Sequence, residues 1–128
     1  EPKIYFFHWA ALPNQGARLE NLVACHLLKS VQAWTDSAQG EFELFYLRDK
    51  WKREVDFCVT LDGKPWLLLE VKNSSKATSP ALIHYTDLLK PKFSIQLQPY
   101  GAPRRLQVTN RGQSIWFISQ EEFLRVLN

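Results

Sequence analysis

The sequence has no methionine, only two cysteines and only five glycines in 128 residues. A translated chain begins with Met, whereas this one begins Glu1-Pro2-Lys3. It therefore reads as a domain excised from a longer protein, with N-terminal trimming as the alternative. Cys25 and Cys58 are too few for the disulfide framework of a small secreted scaffold, which predicts a reducing, cytoplasmic setting. Both lie in apolar-looking segments and read as core-filling thiols. No CxxC or paired-His spacing accompanies them, so no zinc site is expected. No apolar run approaches the ~18 residues of a membrane span. The longest candidate, 4–12, is short and contains His8, and it lacks the charged flank and cleavage site of a signal peptide. No membrane association is expected. One more absence is local: no acidic residue occurs between Asp87 and Glu121.

What is present is ordinary for a globular domain. The chain is 45% hydrophobic and 23% charged, with a formal charge of +3. Its length suits one domain over 1–128. Residues 3–9 (KIYFFHW) read as a short strand or buried connector. Residues 13–16 form a loop leading into a helix over about 16–33. There Leu19, Leu22, Val23, His26, Leu27 and Val31 recur at helical spacing.

Three strand-like segments follow, at 42–48, 54–61 and 65–72. The first two are joined by the charged turn 50–52, the last two by Asp62-Gly63, a strong hairpin signal. In the second, Val55, Phe57, Val59 and Leu61 share one face by parity. The third is a nearly continuous apolar run, as in a strand buried on both faces. After a polar loop at 73–79, a helix over 80–89 places Leu82, Tyr85, Leu88 and Leu89 on one side, and Lys90-Pro91 stops it. Strands are expected at 93–98, 106–109 and 114–118. A last helix covers 121–127, with Ser119 as N-cap. His8, His26 and His84 read as packing or surface residues, and Trp66 and Tyr85 as core.

Charged residues inside apolar strands need a reason, because burying them unpaired is costly. Glu54-Val55-Asp56 and Glu70-Val71-Lys72 are the two cases. Glu70 and Lys72 share a strand face, about 6.6–7 Å apart. Asp56 falls on the face opposite Val55 and Phe57. A hairpin at Asp62-Gly63 would bring Asp56 and Glu70 to the same side of neighbouring strands. Two converging carboxylates make an oxygen-rich site for a hard cation such as Mg²⁺, with Mn²⁺ as a substitute. Lys72 would then orient or deprotonate an attacking water, or hold a phosphate. Glu20, at the flank of the helical stripe, would add a third carboxylate. A salt-bridge cluster between strands is the alternative for Asp56, Glu70 and Lys72. For Glu20 it is a surface acid or a partner of Arg53.

The arrangement Asp56…Glu70-x-Lys72, preceded by helical Glu20, resembles the PD-(D/E)XK, restriction-endonuclease-like superfamily. The resemblance implies an α/β fold: a mixed β-sheet flanked by helices, with an α-β-β-β-α-β core. Holliday-junction resolvases and RecB-type nucleases share that layout. The QxxxY pattern of RecB-like exonucleases is missing from 80–89, which argues against an exonuclease in particular. Val55 stands where a proline commonly precedes the motif aspartate.

A closer resemblance covers most of the chain. Residues 16–23 (GARLENLV), 46–49 (YLRD), 53–57 (REVDF) and 69–72 (LEVK) are similar, in order, to motifs of an uncharacterised C-terminal domain family. That domain is usually appended to bacterial and archaeal AAA+-type ATPases. Residues 3–9 resemble its YFxD-type opening segment, with His8 about where Asp is expected. No Walker A sequence is present, so the resemblance implies an ATPase domain in cis outside these residues.

Three functions are therefore in play. The first is a Mg²⁺-dependent nuclease, with Asp56 and Glu70 on the metal, Lys72 at the water and Glu20 assisting. The second is a nuclease fold that binds nucleic acid without cutting it. The third is a docking or regulatory domain of an ATPase. The expected nucleic-acid surface comprises the turn residues Arg48, Lys50, Lys52 and Arg53, with Trp51 available to stack a base. Lys90, Lys92, Arg104 and Arg105 of the acid-free stretch complete it.

Overall fold

The computed structural model describes residues 4–9, 18–72 and 77–127. The expected loop 13–16, the helix start at Gly16 and positions 73–76 of the polar loop lie outside the described residues.

Within them run β1 (Ile4–His8), α1 (Arg18–Asp36), β2 (Phe42–Asp49), β3 (Glu54–Leu61) and β4 (Lys64–Val71). These are followed by α2 (Pro80–Leu89), β5 (Phe93–Gln98), β6 (Arg105–Val108), β7 (Ser114–Ser119) and α3 (Gln120–Leu127). The strands form one mixed seven-stranded sheet in the order β1-β2-β3-β4-β5-β7-β6. Pairing is antiparallel from β1 to β4, parallel from β4 through β5 to β7, and antiparallel between β7 and β6. The α-β-β-β-α-β run expected from sequence is α1 through β5, with β1, β6, β7 and α3 added around it.

Local chemistry accounts for the joints. Asp62 and Gly63 take φ of 51° and 82°, the left-handed pair that a two-residue hairpin turn needs. Ser79 caps α2 by accepting the Leu82 N–H at 3.2 Å, and Pro80 occupies the first helical position, where its missing N–H costs nothing. Lys90 ends that helix in a left-handed conformation, with its N–H on Thr86. Ser119 accepts the Glu122 N–H and so caps α3, as expected.

Helices cover both faces of the sheet. On one side α1 and α3 pack Val23, Leu27, Val31 and Phe123 against Phe57, Val59, Leu69 and Leu97. On the other, α2 packs Leu82 and Tyr85 against Val55, Cys58, Leu68 and Phe117. Leu67, Leu68, Leu69 and Glu70 are all buried, so β4 is covered on both faces.

Three side-chain expectations are corrected. Cys25 is exposed; only Cys58 is a core thiol, and its burial pushes the pKa up to about 12. Leu22 and Leu88 are exposed too, because the buried stripes of α1 and α2 are narrower than periodicity alone suggests. The third concerns Val55, which does not share a face with Phe57 and Val59. Phe45 pairs with Cys58 but Leu47 pairs with Val55, so Tyr46 faces two residues, Asp56 and Phe57. This β-bulge reverses side-chain parity at Asp56.

Strand direction gives the sheet two distinct ends. The end of β2, the start of β3 and the ends of β4, β5 and β7 lie together. The start of β6 reaches the same end.

Candidate active site

At that end β3 and β4 separate. Their register holds from Cys58↔Leu68 to Phe57↔Leu69, and one further step would pair Asp56 with Glu70. Side chains replace the ladder there. The Asp56 N–H donates to Glu70 Oε1 at 3.1 Å, and the Val71 N–H donates to Asp56 Oδ2 at 2.9 Å. Each carboxyl thus satisfies a backbone donor of the opposite strand. The two carboxyls lie close enough to perturb each other's titration.

Burial, then the charge of Glu70, push Asp56 up to about 8, against the pull of the Val71 N–H and Lys72. Glu70 is also raised, by burial, while its bonds from Asp56 and Ser79 and the charge of Lys72 work to lower it. Two buried carboxyls this close favour a proton, or a cation, that relieves their repulsion.

Glu20 stands in the first turn of α1, half-buried. Burial, and then the negative charge of Asp56, raise its pKa, so it belongs to the same electrostatic unit. Lys72 is half-buried and follows the last residue of β4; its N–H donates to the Leu97 carbonyl at 3.2 Å, extending the sheet by one bond. Its charge acts on both carboxyls, yet among the described residues it makes no ion pair. A strand-bridging salt-bridge cluster would look different. The structure thus brings Asp56 and Glu70 together, with the charge of Lys72 acting on both and Glu20 within electrostatic reach of Asp56. Among the described residues no group of three acidic, His or Cys side chains is close enough to enclose a metal. The convergent pair is Asp56 and Glu70, and one or two carboxylates are the usual protein share of a Mg²⁺ site.

Three supporting residues were not anticipated. Ser79 Oγ donates to Glu70 Oε2 at 3.2 Å while capping α2. Gln96, fully buried and level with Glu70 on β5, accepts the Ser79 N–H at 2.8 Å and donates to Ala77 O at 2.9 Å. A glutamine inside an apolar strand was the available signal. Trp9 stacks on Phe57 and donates from Nε1 to the Asp56 carbonyl at 2.6 Å, so it holds the bulge from outside.

A family model described as a domain of unknown function, DUF4143, matches residues 15–120. The chain belongs to that family. No curated protein and no solved structure matches it.

In this DUF4143 domain the eight expected nucleic-acid contacts do not form one surface. Arg53 Nε binds the buried carboxylate of Asp49 at 2.7 Å, not Glu20. Arg48 pairs with Glu54 at 3.7 Å. Arg104 is paired with Glu122 of α3, and the Arg105 guanidinium lies 3.7 Å over the Phe117 ring. Lys90 and Lys92 flank the start of β5, at the end of the sheet remote from the carboxyls. Lys50 and Lys52 are exposed on the β2–β3 turn, at the carboxyl end.

A cavity of about 410 Å³ lies elsewhere, on the α1 and α3 side, between Trp34, Trp66, Phe93, Trp116 and Phe123. Its acid, Glu122, is already paired to Arg104, so it offers no acid–base chemistry. Among the described residues no helix is long and apolar enough to cross a membrane.

Proposed function

We propose that this chain is a divalent-cation-dependent phosphodiesterase of the PD-(D/E)XK type, with a restriction-endonuclease-like core, acting on nucleic acid. One observation carries the reading: β3 and β4 part so that the Asp56 and Glu70 carboxyls converge, each on a backbone N–H of the other strand, with the charge of Lys72 acting on both. The donor set is all oxygen, as Mg²⁺ or Mn²⁺ prefers. Once bound there, the cation supplies charge neutralisation at the scissile phosphate. Asp56 and Glu70 would hold it, each oriented by its backbone donor. Lys72 holds the attacking water or a phosphate oxygen. Glu20 adds negative charge on the α1 side and orients water in the outer sphere. An ATPase domain in cis and a cytoplasmic setting complete the proposal.

The test is cleavage of single- and double-stranded DNA, RNA and branched junctions with Mg²⁺ or Mn²⁺. Asp56→Ala and Lys72→Ala should each abolish cutting. A wild type inactive on every substrate, alone and within its full-length protein, overturns the reading.

A second reading is a catalytically silent docking module of an AAA+ ATPase. It is favoured by β1, a sheet-edge strand that exposes Tyr5, Phe6 and Phe7 by 46%, 40% and 40%. A stable protein partner lost on Phe6→Lys, with no nucleic-acid binding, would select it.

A further inference from the structure

Four of the five tryptophans, Trp9, Trp34, Trp66 and Trp116, pack against the core on the α1 side. Trp51 packs against neither core and is 56% exposed at the tip of the β2–β3 turn. Exposing an indole forgoes burial free energy, so hydrophobic packing gives no account of it.

The turn that carries it is nevertheless held firmly. Buried Asp49 accepts from the Trp51 N–H at 2.9 Å, from the Arg53 N–H at 3.0 Å and from Arg53 Nε at 2.7 Å. The Asp49 N–H donates back to the Arg53 carbonyl, and the Tyr85 hydroxyl donates to the same carbonyl at 2.8 Å. Lys52 sits at φ 63°, a strained conformation for a side-chain-bearing residue. A buried carboxylate and a left-handed lysine together fix the geometry of a tip that buries nothing. Cations surround the indole: Lys50 Nζ lies 4.5 Å and the Arg53 guanidinium 5.4 Å from its ring centre. Lys50 and Lys52 have no acidic partner among the described residues.

The place matters as much as the shape. Arg53 immediately precedes β3, and Asp56 lies three residues on, about 10 Å along an extended strand. A strand of nucleic acid whose phosphate lies at the carboxyls would pass this turn within a few nucleotides. From this, and resting on the nucleic-acid reading above, we infer that Trp51 is a base-stacking platform that selects single-stranded or locally unpaired nucleic acid, with Lys50 and Lys52 on the flanking phosphates. A stacked duplex hides the faces of its bases, whereas an unpaired strand offers them.

The experiment is equilibrium binding by fluorescence anisotropy in EDTA, where cleavage plays no part. The probes are a mixed-sequence DNA single strand, an abasic strand of the same length and charge, and a duplex. The wild type should prefer the base-bearing single strand. Trp51→Ala should weaken that binding by about 5- to 150-fold, the usual effect of losing one stacking platform. It should leave the abasic strand unchanged, and Trp51→Phe should keep most of the affinity. An unchanged thermal midpoint for Trp51→Ala confirms that the fold is intact. Equal binding of base-bearing and abasic strands, an unaffected Trp51→Ala, a Trp51-independent preference for duplex, or no binding at all overturns the inference. Cleavage with no Trp51 effect overturns it alone. Trp51-dependent binding in a protein that never cuts overturns the phosphodiesterase reading alone.

Discussion

Asp56 and Glu70 hold each other's strands. Glu70 takes the N–H of Asp56 at 3.1 Å, and Asp56 takes the N–H of Val71, the residue after Glu70, at 2.9 Å. Where the antiparallel ladder ends, two carboxyls converge, each accepting a main-chain N–H of the other strand. The site and the separation of the strands are one structural event. Three predictions come from this event and from the groups that support it.

The first concerns pH. Asp56 keeps its proton up to about 8 in the folded chain, against 3.8 as an ordinary aspartate. Between those values the folded state binds more protons than the unfolded state, so stability falls as pH rises through that window. Above about 8 this contribution levels off. Asp49 has the opposite sign: its pKa is lowered by the Arg53 N–H and guanidinium despite burial. Its contribution is present above about 3.8 and is lost as pH falls through its lowered value. Thermal midpoints in EDTA should therefore be higher at pH 5 than at pH 8, and Mg²⁺ or Mn²⁺ should raise the midpoint at pH 8 more than at pH 5. Asp56→Asn should remove most of the slope and gain at least about 1 kcal/mol at pH 8, the worth of one pK unit. A slope between pH 5 and pH 8 that Asp56→Asn leaves unchanged would refute the raised pKa of Asp56.

The second concerns Ser79, which serves α2 and Glu70 at once. Ser79→Ala should cost about 1–2 kcal/mol through the lost cap, measured by denaturant unfolding. It should also weaken Mn²⁺ binding, because Glu70 loses the hydroxyl that orients Oε2. Ser79→Thr should restore both. Ser79→Asp keeps a capping acceptor but buries a like charge beside Glu70, so it should stay destabilised at pH 8 and raise the Asp56–Glu70 protonation range further. Metal affinity that follows helix stability across the three variants would make Ser79 a cap and nothing more.

The third concerns Asp49. It is 2% exposed and accepts three donors of the β2–β3 turn. Asp49→Ala strips those donors and leaves Arg53 unpaired, at a cost of about 3 kcal/mol, the low end for breaking a buried pair because Arg53 is half-exposed. Arg53→Ala should cost less, since two backbone donors remain on Asp49. Chemical denaturation measures both; an order reversed between them would place the stabilisation in the guanidinium instead of the turn.

Much of this protein was legible in residue order. The period of apolar residues placed the described helices and strands to within a few positions, and Asp62-Gly63 closed the expected hairpin. The spacing of Asp56 and Glu70 marked two residues that the fold brings together, because acids inside apolar strands have few other uses. The basic surface was read less well. Charge counting has no access to pairing, and Arg48, Arg53 and Arg104 spend their charge on Glu54, Asp49 and Glu122. Nor does it have access to strand direction, which carries Lys90 and Lys92 to the remote end of the sheet.

By itself, then, the sequence determined the element order and the identity of the four charged groups, since both depend on local periodicity and on residue chemistry. Tertiary structure alone decided how those groups meet. The bulge at Asp56 and Phe57 depends on how β3 registers against β2, and the parting at Glu70 on how it registers against β4. Ser79 and Gln96 enter the site only because a parallel crossover returns the chain beside β4. Register and crossover are set by packing between residues far apart in the chain, so no local pattern encodes them.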